Sequence, residues 1–122
     1  MVASRSILSL VRTPTFWRDR WVLVLLGLAL ATNIATFGYV AYRYSSLPEF
    51  LPLHYNAAGD VDYIGTRLDA FRIPAIGLVV WVVNLAASLL LYSREELASR
   101  MLLVIAASVQ VMILAAVIAI VY

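Results

Sequence analysis

His54 is the only histidine in a chain of 122 residues, and it stands in the stretch LPLHYNAAGDVDYIG, Leu51 to Gly65, with Asp60 and Asp62 close behind. One imidazole and two carboxylates are the groups here that could bind a metal or move a proton. Zinc sites use three or four His, Cys or carboxylate ligands, and the chain holds no cysteine to add to these three. Calcium is a closer test, because Asp60-x-Asp62-x-x-Gly65 begins like an EF-hand loop. It fails further on, where Ile64 takes the fifth position and Phe71 the twelfth, both of which must supply oxygen. A carboxylate pair for glycoside hydrolysis needs a sugar-sized cleft, which a loop this short does not enclose. With no nucleophile–base pair and no convergent ligand set, the expectation is a protein that is not an enzyme and carries no cofactor.

The elements that must position this loop are membrane spans. The chain is 64% hydrophobic and 13% charged, with a mean hydropathy of +0.93, far from the balance of a soluble domain. Three apolar runs, residues 21–43, 73–92 and 101–122, each have the roughly 20 residues needed to cross a hydrocarbon core. The expected fold is therefore an all-α membrane protein of three transmembrane helices, joined by an outward loop at 44–72 and a cytoplasmic turn at 93–100. Ser93 and Glu96 have capping-box spacing, which would start the third helix near Arg94. The apolar limits instead place its membrane edge at Met101, and they are preferred.

Residues 1–20 read as a cytoplasmic amphipathic segment. Arg5, Ser9 and Arg12 fall on one helical face with Ile7, Leu8 and Val11 opposite, the pattern of a helix lying among lipid headgroups. Thr13 fits a helix cap with Pro14 after it, and Phe16, Trp17 and Trp21 make an aromatic belt at the first span. All nine cations are arginine. Arg5, Arg12, Arg18, Arg20, Arg94 and Arg100 lie on one side of the spans, against Arg43, Arg67 and Arg72 on the other. That bias puts the N-terminus in the cytoplasm, with the loop and the C-terminus outside. A net charge of +2, with arginines confined to segment ends, gives no footprint for nucleic acid.

Within the spans the polar residues are carboxamides. Asn33, Asn84 and Gln110 stand near the centres of the three runs, at one expected depth. None titrates near neutral pH, so they read as interhelical hydrogen-bond donors and acceptors rather than as an ion path. Gly27, Ala31 and Ala35 recur every four residues along the first span, as do Ala115 and Ala119 in the third, a spacing that lets helix backbones approach closely. Three helices cannot bury all their faces against each other. Lipids and other integral membrane proteins are therefore the expected partners.

In the loop, Pro48 and Pro52 hold the chain extended. Asn56-Ala57-Ala58-Gly59 suits a turn, flanked by short strands at Leu53–Tyr55 and Val61–Ile64, so a small β-hairpin on the membrane surface is expected. His54 and Asp62 then read first as hydrogen-bonded residues fixing that hairpin, and second as contacts for a peptide ligand.

LPEFLPLHYNAAGDVDYIGTR resembles the pattern P-x-H-[FY]-N-x-x-G-x-x-D-x-[WYF]-x-x-[KR] of the SdpI-like membrane proteins and their uncharacterised relatives. The matching positions are Pro52, His54, Tyr55, Asn56, Gly59 and Asp62, with Tyr63 and Arg67 after them; Pro74 also looks like that family. The resemblance covers roughly residues 47–92. It implies a bacterial cytoplasmic membrane protein, whose best-known relatives protect a cell from its own secreted toxin, one of them also holding a repressor at the membrane. Those relatives are longer and carry further spans, a departure that weakens the transfer of the immunity and signalling roles to this chain. The function expected from the residues is a small accessory subunit of a membrane complex, with a peptide-binding immunity or receptor protein as the alternative.

Overall fold

The computed structural model describes residues 14–121. In order it contains α1 (Pro14–Arg18), α2 (Arg20–Arg43), a 3-10 turn (Tyr44–Ser46), β1 (Phe50–Tyr55), β2 (Val61–Thr66), a second 3-10 turn (Arg67–Phe71), α3 (Arg72–Tyr92) and α4 (Glu96–Val121). Three stretches, Arg20–Ser46, Arg67–Tyr92 and Glu96–Val121, are long and apolar enough to cross a membrane. The amphipathic segment and the Thr13 cap expected before Pro14 lie outside the described residues.

The three long helices form a bundle in which α4 packs against both α2 and α3, while α2 and α3 meet less extensively. The buried positions of α2 are Val22, Leu26, Ala29, Asn33, Thr36 and Val40, spaced alternately by four and three. Those of α4, Ser99, Leu103, Ala106, Gln110, Val117 and Val121, keep the same period. That spacing is the seam of gently crossing helices, and it brings each carboxamide into line with a facing helix. Apolar clusters close the two ends. Val40, Leu47, Leu51, Ala70, Val117 and Val121 pack at the hairpin end. Phe16, Val22, Leu26 and Leu103 pack at the other.

Between α2 and α3 stands the antiparallel hairpin of β1 and β2, with Leu51 opposite Gly65 and Pro52 opposite Ile64. Its connection is built by Asn56, whose Oδ1 accepts from the Ala58 and Asp60 amides at 3.0 Å each. The Gly59 amide donates to the Asn56 carbonyl at 2.9 Å, and Gly59 itself has φ +86°. Only glycine takes that conformation freely, which explains the Asn-x-x-Gly spacing. Leu51 of β1 is buried, and a Cβ on Gly65 would run into the Leu53 side chain and come within 3.0 Å of Asp69, so β2 is held closely against β1 and the turn that follows it.

Four expectations change. Helical structure ahead of the second span begins at Arg67 rather than Ile73, because Thr66 and Asp69 form a capping box that starts a 3-10 turn continuous with α3. α4 starts at Glu96, five residues before Met101, so the polar end of the helix extends beyond the apolar run. Phe16 does not face lipid: it is fully buried, edge-on to Tyr92 at 5.3 Å, while Trp17 and Trp21 remain exposed. Gly27, Ala31 and Ala35 lie on the exposed side of α2 and seat no other helix among the described residues.

Candidate functional site

Polar side chains converge in three places: the centre of the bundle, the end opposite the hairpin, and the hairpin itself. At the centre, Asn33 Nδ2 donates to the Pro74 carbonyl at 2.9 Å and to Gln110 Oε1 at 3.0 Å. Gln110 Nε2 donates to the Gly77 carbonyl at 2.6 Å. Both side chains are essentially inaccessible to solvent. Two carboxamides from α2 and α4 thus read backbone acceptors on α3, and the three helices are fixed in one register. Gly77 makes this geometry available, since a Cβ there would come within 2.7 Å of Gln110 Oε1 and 3.0 Å of Asn33 Nδ2. Pro74 sits in the first turn of α3, where its missing N–H interrupts no interior helix bond.

Asn84 does not join them. It lies seven residues beyond Gly77 on α3, about 10 Å along the axis, and its half-buried side chain makes no hydrogen bond to another described residue. The single depth was expected because each carboxamide stands near the centre of its apolar run; the packing of α3 on α4 instead sets Gly77 level with Gln110. Further along, Trp81 Nε1 donates to the Leu26 carbonyl at 3.2 Å. The Ser88 and Ser99 hydroxyls each donate to the other's backbone carbonyl, at 3.1 and 2.8 Å, where α3 and α4 cross.

The end opposite the hairpin is organised by Asp19. Its Oδ1 caps α2 by accepting from the Trp21 and Val22 amides at 2.9 and 3.4 Å. Its Oδ2 accepts from the Tyr92 hydroxyl at 2.8 Å and from Arg100 Nε and Nη2 at 3.0 and 2.7 Å. Arg100 also reaches Glu96 at 2.6 Å. Burial alone would push the Asp19 carboxyl up. The hydrogen bonds from Arg100, Tyr92 and the two amides outweigh it and hold the group below the ordinary carboxylate value. One acid therefore ties α2, α3 and α4 together at their ends. The residue pattern offers a partial signal: Asp19 stands two residues before the apolar run that begins at Trp21, the place of a helix cap. Its partners, 73 and 81 residues away, carry no local signature.

The hairpin brings together two of the residues singled out by type. His54 Nδ1 and Asp62 Oδ1 are 2.6 Å apart across the strands, with side chains 68% and 42% exposed. Asp60 is held through its backbone in the turn and does not join the pair. Pro52 is half-buried in β1 and Tyr55 exposed at its end, while Asn56 and Gly59 make the turn. Arg67 opens the second 3-10 turn, its guanidinium over the Tyr44 ring at 5.7 Å. Tyr44 and Phe37 flank Phe71, tying that turn to α2. An exposed His–Asp pair contributes little to stability, so the fold itself does not demand it. Among the described residues no three His, Cys, Asp or Glu side chains gather as a metal site.

A three-helix membrane protein with a surface hairpin is the class this architecture defines. Residues 31–78, from the middle of α2 through the hairpin to the Gly77 contact, match a family model described as a domain of unknown function, DUF1648. That is an uncharacterised domain found in membrane proteins. No curated protein and no solved structure matches the chain.

Proposed function

We propose that the chain is a small, non-catalytic integral membrane protein that packs against a larger membrane protein complex through the outer face of α2. The observation that carries this is the position of Gly27, Ala31 and Ala35, exposed along one side of the helix. A Cβ at Gly27, or at Gly38 near the same side, would meet nothing within 4 Å. In a membrane no hydrophobic force drives helices together, and association depends on close backbone approach at small residues. The arginine bias supports an orientation with the N-terminus in the cytoplasm of a bacterial cell and the hairpin outside.

The test is purification in a mild detergent. The chain should retain a larger membrane partner, and Gly27→Leu with Ala31→Leu should release it while leaving the unfolding of the isolated chain unchanged. A chain that migrates alone at its own mass contradicts the proposal.

A second reading has its own support in the exposed His54–Asp62 pair, set on a hairpin that resembles the SdpI-like loop. In that reading the hairpin docks a secreted peptide, as a toxin-immunity or receptor protein would. Substituting His54 and Asp62 by alanine should abolish protection or peptide binding at undiminished membrane abundance. Collapse of abundance in that variant removes this reading's support.

A further inference from the structure

A shallow groove of about 380 Å³ runs along the outer side of α3, lined by Ala75, Ile76, Val79 and Val80, with Arg72 at one end. From Arg72 to Val80 is eight residues, about 12 Å along the helix, so the groove is an apolar trough that reaches the aliphatic stem of Arg72 at its hairpin end, with the guanidinium just beyond it. The Arg72 side chain is 69% exposed, and its guanidinium is held from one side: Nε lies 3.3 Å from Asp69 Oδ1 and Nη1 donates to the Tyr63 hydroxyl at 3.4 Å. Asp69 is itself engaged through Oδ2 by the Thr66 amide and hydroxyl, at 2.9 and 3.1 Å. Two donors remain. Arg72 Nη2 makes no hydrogen bond to a described residue, and the Tyr63 hydroxyl, accepting from Arg72, has no acceptor for its own proton among them.

We propose that this groove holds an anionic phospholipid, its phosphate on Arg72 and Tyr63 and one acyl chain lying over Ala75, Ile76, Val79 and Val80. A guanidinium edge beside a hydroxyl is donor chemistry suited to phosphate oxygens. The trough faces the side of a spanning helix, where the surrounding medium is hydrocarbon, and its one charge stands at the hairpin end, where α3 meets the headgroup layer. An amphiphile with an anionic head matches both ends at once. Free phosphate would leave the trough empty, and a headgroup without an anionic oxygen would leave the Nη2 edge of Arg72, turned away from Asp69, without an acceptor.

Spin-labelled phosphatidylglycerol and phosphatidylcholine, each in trace amount in phosphatidylcholine vesicles carrying the full chain, test this. The motionally restricted fraction should be larger for phosphatidylglycerol. Arg72→Gln should lower that preference about fivefold, the worth of one basic side chain at an anionic surface, and Tyr63→Phe should lower it less. Ala75→Trp should displace the restricted lipid with Arg72 intact, and added inorganic phosphate should not. The proposal is overturned if the two lipids are restricted equally, if Arg67→Gln lowers the preference as much as Arg72→Gln, if Ala75→Trp changes nothing, or if inorganic phosphate displaces the label. Circular dichroism of each variant shows whether helix content is retained, and the Ala75→Trp result stands independently of any effect of Arg72→Gln on the hairpin.

Discussion

The hairpin and the bundle centre both carry polar side chains in hydrogen bonds, yet their physics is opposite. His54 and Asp62 meet in the open, where water or headgroups compete for every bond. Asn33 and Gln110 meet where nothing else can satisfy them, and each of their bonds reaches a different helix. The same bond length therefore means different things. In the hairpin the exposed pair adds little to the stability of the fold. In the bundle the carboxamide pair selects one helix register out of several that apolar packing alone would allow.

Breaking the bundle side should have the largest effect. Gly77→Val drives side-chain carbon into Gln110 and Asn33, and should cost about 3 kcal/mol through overpacking and two displaced carboxamides. Reversible unfolding in mixed micelles measures it. Gln110→Leu removes bonds without adding bulk in the α3 contact, and should cost about 1–2 kcal/mol. A variant as stable as the parent would mean that the apolar seam already sets the register.

Asp19→Asn comes next and tests the other end of the bundle. Asparagine caps a helix as well as aspartate does, so this change isolates the charge that Arg100 and Tyr92 face. The folded carboxyl lies below its ordinary value. Its contribution is therefore complete above the unfolded value, about 3.9, and is lost as pH falls through the lower folded one. The stability margin of the parent over Asp19→Asn should be constant at neutral pH and shrink in acid below about pH 4. A margin that grows on acidification would mean that Asp19 is protonated in the fold.

How much of this could be read from residue types depends on where each partner sits. Three spans, the turn at Asn56–Gly59 and the exceptional character of Asn33 and Gln110 are legible because each signal is local: an apolar length, a turn spacing, an amide in a hydrocarbon run. The acceptors of those amides are the backbone carbonyls of Pro74 and Gly77, which no side-chain pattern announces. Asn84 reads as equivalent to the other two because it stands at the centre of its apolar run, but which residue of α3 faces Gln110 is set by how the helices pack, and that residue is Gly77. The small-residue spacing was visible on α2, but spacing alone does not say which side of the helix faces its own chain. Asp19 was hidden in a run of arginines, and its role depends on Tyr92 and Arg100, which only the fold brings near.

The smallest effect is expected at the hairpin. His54→Ala with Asp62→Ala should shift stability by about 0.5 kcal/mol or less, as surface substitutions do, and measuring it beside Gly77→Val in the same micelles tests the central contrast most directly. The account requires the hairpin variant to unfold with the parent, and the Gly77→Val protein to unfold well before it. A hairpin variant that unfolds as early as Gly77→Val, or earlier, would contradict it.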